Sequence, residues 1–188
     1  MASKVQIWNL ALRFIGETPV NSPTEDDDNA DILSDIYDLS RQAALRQFPW
    51  SFALDTAELA NDSSVDSPDY SYAYLLPSDS LYIVRLIPPG ATDETYQIRN
   101  RHMHTDATEV YVEYVRDEED TTKFDSLFIQ AFAYYLASQI AITRTGKADM
   151  VQLMTNGYNR VISMARGMNA SESRLQHTQC NSLVTARD

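Results

Sequence analysis

A segment near residue 130 is apolar on nearly every side when it is read as a helix. Residues 123–143 carry Phe124, Leu127, Phe128, Ile129, Ala131, Phe132, Tyr134, Tyr135, Leu136, Ile140 and Ile142. A helix with no clean polar face is buried on most sides. The chain must therefore supply several further elements to cover it. Thr122 to Asp125 fit a capping box at its start, with Asp in place of the usual Glu, and Gly146 ends it.

Three other segments repeat apolar residues with helical spacing. Residues 3–15 do so up to Gly16, and a second helix runs from the acidic residues 26–28, which suit its N-cap, to about residue 47. A last helix follows the break at Gly146 and ends near Gly167. The apolar positions of the three helices are Val5, Trp8, Leu12 and Ile15; Leu33, Tyr37, Ala44 and Phe48, flanked by Ile32, Ile36, Leu39 and Ala43; and Met150, Met154, Tyr158, Val161, Ala165 and Met168.

Residues 49–120 follow a different pattern. Prolines divide them into short pieces, and the pieces "SYAYLLP", "SLYIVRLIP", "TYQIRN" and "EVYVEYVRD" are rich in Tyr, Val and Ile. Such pieces predict short strands separated by polar loops. Parallel pairing needs crossover helices, and none fit in this region, so the strands are expected to pair antiparallel.

The order of elements predicts an α+β fold: a four-helix bundle with an inserted, mainly antiparallel β region. Residues 1–48 and 121–169 form the discontinuous helical bundle, and residues 49–120 form the β-rich insertion. Residues 170–188 are few in apolar side chains and are expected to form a flexible C-terminal tail.

The joint between the bundle and the insertion is expected at the sequence "RQFPWSFAL". Pro49 removes a backbone donor and moves Phe48 out of helical angles, so the second helix must end there. Beyond it, Trp50, Phe52 and Leu54 alternate with polar or small residues, which predicts a strand. We expect Trp50 to belong to the core at this joint.

The formal charge of −12 argues against a general nucleic-acid binder and against docking on anionic lipid. The single cysteine, Cys180, leaves no disulfide within one chain, which fits a reducing cytosol. The N-terminus lacks the layout of a signal peptide. No segment is expected to approach the roughly 20 apolar residues of a membrane span.

Two groups of side chains invite a metal interpretation. His102 and His104 lie two residues apart, and His177 with Cys180 could complete four zinc ligands. The pairs are far apart in sequence, so exposed loop histidines are the favoured interpretation. The acidic run "DDDNAD" lacks the glycine and glutamate of an EF-hand and is better explained as a helix cap. We therefore predict no metal site and no cofactor.

Catalytic patterns are also weak. The chain has no G-x-S-x-G motif and no P-loop. Paired carboxylates for sugar hydrolysis stay open, because acids are plentiful, and Glu17 and Glu58 are the isolated glutamates near element ends. Each is more often a surface residue, so no catalytic residue is assigned. Tyrosines without interleaved Arg or Lys in residues 49–84 favour protein contacts over base stacking.

The sequence resembles a known family, the tail tubular proteins or head-to-tail adaptors of short-tailed bacteriophages. The resemblance rests on "ALRFIGETPV" at 11–20, "DNADI" at 28–32, "ALRQFPWSFAL" ending the second helix, and "TEVYVEYVRD" leading into "FDSLFIQAFAYYLASQIA". Each motif is weak alone, whereas the motifs in this order are fairly specific. They cover about residues 5 to 168.

The resemblance implies a structural role rather than an enzymatic one. Such proteins form a ring, usually of twelve copies, that joins the portal protein to the tail nozzle and lets genomic DNA through without sequence-specific binding. The expected location is the virion neck or tail, after synthesis in the host cytoplasm. An acidic ring suits a conduit, because like charge repels the DNA backbone. The alternatives are a peptidoglycan-degrading virion enzyme and, more weakly, a chaperone-like or regulatory binding protein.

Overall fold

The computed structural model describes residues 2–87 and 95–172, with side chains up to residue 168. In this part of the chain the helices are α1 (Lys4–Ile15), α2 (Asp28–Arg46), α3 (Ser126–Thr145) and α4 (Ala148–Glu172). The strands are β1 (Leu54–Glu58), β2 (Tyr72–Leu75), β3 (Ser80–Ile87), β4 (Tyr96–Arg99), β5 (His102–Thr105) and β6 (Tyr111–Arg116). Two short 3₁₀ helices span Ser51–Ala53 and Thr121–Lys123. The fold is mixed α+β, as predicted.

The first two helices begin where their polar side chains cap them. Ser3 and Gln6 form both halves of a capping box at the start of α1, and Gly16 ends that helix at φ 79°. Asp27 accepts a hydrogen bond from the Asn29 amide at 2.8 Å at the start of α2. The acidic run is therefore a helix cap, as the sequence indicated.

The start of α3 differs from the prediction. Asp120 accepts hydrogen bonds from both the amide and the hydroxyl of Thr122, at 2.9 and 2.6 Å. The Thr122 hydroxyl is therefore bonded within the 3₁₀ turn and does not cap α3. Asp125 is the N-cap instead, and its side chain accepts a hydrogen bond from the Leu127 amide at 2.7 Å. The expected capping box at Thr122 is wrong, and α3 begins at Ser126.

Helix α3 packs against α1, α2 and α4. Its buried side chains come from nearly all round the helix, which confirms that it is covered on most sides: Phe128, Ala131, Phe132, Ala133, Leu136, Ala137, Ile140 and Ala141. By length and composition α3 could also cross a membrane, which corrects the expectation that no segment comes close. A core helix passes the same test, and the packing of α3 against three helices accounts for its apolar character.

The six strands form two small antiparallel sheets rather than one. Sheet 1 has the order β1-β6-β3, and sheet 2 has the order β2-β5-β4. The central strand β6 faces both ways: Val115 packs into the cluster of the helices, whereas Val112 and Tyr114 pack with residues of sheet 2. Sheet 1 therefore lies between the helices and sheet 2.

Three further expectations need correction. Residues 51–53 form a 3₁₀ turn, with Ala53 donating to the Trp50 carbonyl at 2.9 Å, and the strand begins only at Leu54. Leu39 lies on the outside of α2, about three-quarters exposed, rather than beside the apolar stripe. Helix α4 continues to Glu172, so residues 170–172 of the predicted tail are helical, and the remainder of that tail lies outside the described residues.

Candidate functional site

A cluster of aromatic side chains lies where the chain passes from α2 into sheet 1. We call it the aromatic joint and define it as Phe48, Trp50, Phe52, Phe124 and Phe128. Trp50 is buried, and its indole Nε1 donates to the Ala44 carbonyl at 3.4 Å. The ring centroids of Trp50 and Phe52 each lie 5.1 Å from that of Phe128. This confirms the predicted core role of Trp50. The joint is thus a packed part of the core between the helices and sheet 1.

A buried ionic group ties α2 to the end of β6. Arg41 is almost completely buried, and its guanidinium donates to both carboxylate oxygens of Asp117 at 3.1 Å. Asp38 and Gln42 also belong to the group, bonding to Arg41 and Asp117 respectively, and the Glu119 carboxylate lies 3.5 Å from the Arg41 guanidinium. A buried guanidinium needs such partners, because an unpaired charge in the interior is costly. The group holds helix and sheet in one relative position.

Glu118 is the second buried charge in this region. Its carboxylate accepts from the side chains of Arg116 and Lys123 and from the Asp120 amide. Burial tends to raise the pKa of Glu118, but these three donors together lower that pKa below its ordinary value. Glu118 is therefore a structural carboxylate, held charged, and unsuited to act as a general acid at neutral pH.

A stripe of exposed apolar side chains runs along α4. The α4 stripe consists of Leu153, Met164 and Met168, each more than half exposed. The spacing of the first two is about three helical turns, and Met168 follows one turn later, so all three share one face. The sequence reading placed only Met168 among the core positions, and its exposure corrects that. The sequence signal for the stripe is the spacing of Leu153 and Met164, which are 11 residues apart, or about three helical turns.

Beside the stripe, a cleft of about 390 Å³ opens between α1, α3 and α4. Its wall is a stack in which the Phe14 and Tyr134 rings lie 4.1 Å apart at 14°. Gly157 also lies against Tyr134, and an added Cβ there would come within 2.6 Å of the Tyr134 ring. Arg160 stands at the rim of this cleft. Apart from Asn156 and Arg160, the lining of the cleft is apolar or aromatic.

The histidines that suggested a metal are separated in role. His102 and His104 lie on strand β5 and His104 is almost fully buried, so the favoured interpretation as exposed loop histidines is wrong. They bond to Asp62 and Ser67 of a neighbouring loop. Within residues 2–87 and 95–168, no three His, Cys, Asp or Glu side chains are grouped to hold a metal ion. His177 and Cys180 lie outside the described residues.

The two glutamates considered for acid catalysis lie on different parts of the molecule. Glu17 follows α1 and faces Arg144 at 3.9 Å. Glu58 ends β1, and its carboxylate accepts a hydrogen bond from Tyr111, whose pKa is raised by that bond. Each has a structural partner of its own, and no contact joins the two in the described structure.

The described residues thus offer packed joints and exposed apolar faces. Comparison with known proteins adds no identity: no protein-family model matches the chain, and neither does any curated protein.

Proposed function

We propose that this protein is a structural head-to-tail adaptor of a short-tailed bacteriophage. Copies of the chain, twelve in the usual arrangement of the resembled family, would form a ring between the portal protein and the tail nozzle. The genomic DNA would pass through the ring. The proposed location is the neck of the virion, reached after synthesis in the host cytoplasm, and no enzymatic activity is proposed.

The observation that carries this proposal is the α4 stripe. Large apolar side chains that share one exposed helix face are a feature of protein contact surfaces. The stripe lies on the longest helix in the described residues, next to the cleft at Gly157. Such a surface favours assembly with other proteins. The resemblance to the tail tubular proteins indicates which assembly we propose.

The packing of the helices also supports a more specific description of the fold. We propose that α1, α2, α3 and α4 are one four-helix bundle and that residues 49–120 are inserted into it. Helix α3 touches the three other helices, and both sheets lie between α2 and α3 in the chain. The motifs that carry the resemblance fall on α1, α2, β6 and α3, which share the main apolar cluster.

The test uses the purified chain and the portal protein encoded in the same genome. Sedimentation velocity of each alone and of the mixture should show a complex of several adaptor copies on the portal. Replacing Leu153 and Met164 together by Asp should abolish that complex. Leu39→Asp is the control, since Leu39 is also apolar and is even more exposed, but lies on α2. A wild-type chain that never sediments with the portal would overturn the proposal.

A turbidity assay on purified cell wall separates the adaptor from the wall-degrading alternative. The adaptor should leave the turbidity unchanged. Clearing by the wild-type chain that disappears in Glu17→Gln or Glu58→Gln would instead favour the enzyme.

A further inference from the structure

A second cavity lies beside strand β3, between sheet 1 and the hairpin of β4 and β5. Its volume is about 330 Å³. Most of its lining is apolar or aromatic and consists of Leu76, Leu81, Tyr82, Ile83 and Ile98. Ile98 lies on β4, an edge strand of sheet 2, and is nearly half exposed. The cavity therefore presents an apolar surface that the described fold leaves partly uncovered.

The cavity follows the side of β3 rather than one of its faces. Residues 80–83 all line it, although successive side chains of a strand point to opposite faces. Tyr82 packs against the cluster of the helices, whereas Ile83 packs with the cluster of sheet 2. A cavity that reaches both side chains must run along the edge of the strand. Among the described strands β3 pairs only with β6, so no strand lies along this edge.

Two arginines line the same cavity, and both bond to main-chain carbonyls. The Arg46 guanidinium donates to the carbonyl of Leu81 in β3, and the Arg101 guanidinium donates to the carbonyl of Pro77, just before β3. Within residues 2–87 and 95–168, neither arginine forms an ion pair with Asp or Glu. The cavity thus combines an apolar lining with two cations.

The other arginines of these strands are paired. Arg85 of β3 lies 2.9 Å from the Glu113 carboxylate, and Arg99 of β4 lies 2.9 Å from the Asp69 carboxylate. Carboxylates are plentiful in a chain of formal charge −12. The two cavity arginines therefore keep the capacity for a charge-assisted bond to an acid from outside the described fold.

Arg101 also occupies a backbone position that favours glycine. The turn between β4 and β5 consists of Asn100 and Arg101, with φ angles of 47° and 63°. Positive φ at both central residues is typical of a type I′ turn, in which Asn-Gly is a preferred pair. An arginine there costs backbone strain, and strained residues cluster at functional sites. What the turn gains for this cost is a guanidinium at the cavity.

We propose that the β3 edge is a docking site for an extended segment of a different protein, in which a carboxylate lies beside a large apolar side chain. The segment pairs with β3 through main-chain hydrogen bonds, as in strand addition to a sheet edge. Its apolar side chain enters the cavity, and its carboxylate bonds to the guanidinium groups of Arg46 and Arg101. This proposal does not rest on the adaptor function.

Arg46 makes the edge selective for an acidic segment. Its guanidinium covers the Leu81 carbonyl, so a neutral strand that pairs there displaces this contact and leaves Arg46 without a partner. A segment with a carboxylate offers the displaced guanidinium a stronger, charge-assisted bond. A basic segment brings like charges together, which costs free energy.

The experiment titrates the full chain with the peptide Gly-Ser-Glu-Leu-Glu-Ser-Gly, blocked at both ends, and follows the protein by NMR. Binding should shift the methyl signals of Ile98 and Leu81 and slow the hydrogen exchange of the β3 amides. The counterpart peptide with Lys in place of Glu should change neither. Octanoate is a further probe, because it has a carboxylate and an apolar chain but no peptide groups, and it should not protect the β3 amides.

Arg101→Gly removes one guanidinium and relieves the strain of the turn, so this variant should fold as well as the wild type. It should bind the Glu peptide about tenfold more weakly, as expected for the loss of a charge-assisted hydrogen bond. The matched control is Arg85→Gln, on the same strand. Arg85 already pairs with Glu113, so the control should keep the wild-type affinity.

Three results would overturn the proposal. The Glu peptide would leave the Ile98 methyl signals unshifted, or it would bind Arg101→Gly as tightly as the wild type. In the third, octanoate would shift these signals while the Glu peptide leaves the β3 amides unprotected, which would make the cavity a site for free carboxylates. Concentration-dependent shifts of Ile98 in the wild-type chain alone, lost in Arg101→Gly, would instead assign the edge to a second copy of this chain.

Discussion

The Trp50 indole meets the Phe128 ring edge to face, with the centroids 5.1 Å apart and the planes at 72°. This contact joins the segment after α2 to the first turn of α3. It lies at the centre of the aromatic joint, so its removal should weaken the link between helices and sheets.

Trp50→Ala should lower the stability by roughly 3–5 kcal/mol, as expected for truncation of a buried aromatic side chain. In a chain of this size that corresponds to a fall in Tm of about 6–20 °C by calorimetry. Trp50→Phe, which keeps a ring against Phe128, should lose much less. A Tm unchanged in Trp50→Ala would mean that the joint carries no core packing.

Gly157→Ala should destabilise the contact between α3 and α4. The new Cβ would meet the Tyr134 ring at 2.6 Å, and that ring is backed by Phe14, so overpacking should cost roughly 1–3 kcal/mol. Gly167→Ala is the control on the same helix, since nothing lies within 4 Å of its added Cβ. There the better helix propensity of alanine should stabilise the protein slightly. Chemical denaturation compares the two, and equal effects would contradict the packing argument.

Asp117→Ala should cost roughly 1–3 kcal/mol, because it removes two hydrogen bonds from the buried Arg41 guanidinium, which keeps the carboxylates of Asp38 and Glu119. The matched control is Glu113→Ala, which breaks the pair with the exposed Arg85 side chain and should cost under about 1 kcal/mol. Urea unfolding of both variants checks this. Equal losses would show that burial does not distinguish the two pairs.

The Glu118 carboxylate should make stability depend on pH in the acid range. Its pKa is lowered on folding, so its contribution is present above its ordinary pKa and is lost as the pH falls through the lowered value. Glu118→Gln should therefore lower Tm at pH 7, and its difference from wild type should shrink as the pH drops below about 4.5. A difference that stays constant from pH 7 to pH 3 would exclude this role.

The adaptor proposal also makes a prediction about the C-terminus. Removal of residues 173–188, which follow α4, should leave Tm unchanged but weaken attachment to the portal protein, because segments low in apolar residues commonly order on a partner. A pull-down with immobilised portal measures this. Full retention of binding by the shortened chain would contradict it.

Local signals were sufficient where a structural element is specified by neighbours in sequence. Ser3 and Gly16 bound α1, Asp27 caps α2, and the apolar pattern of residues 123–143 correctly predicted a helix covered on most sides. The same local reasoning failed at Thr122, because Asp120 competes for its side chain and leaves Asp125 as the cap.

The sequence by itself determined the order of the helices, the antiparallel pairing and the role of Trp50 in the core, since periodicity, proline and aromatic content act over a few residues. It did not predict strand β5 at His102–Thr105, whose polar side chains resemble those of a loop. Only the tertiary structure decided which strands share a sheet, and it alone paired Arg41 with a carboxylate 76 positions away. It also decided that Leu39 and Leu153 are exposed and that the His102 ring lies between the Asn100 carbonyl and the Asp62 carboxylate. These features depend on which distant segments meet, and no local pattern encodes that meeting.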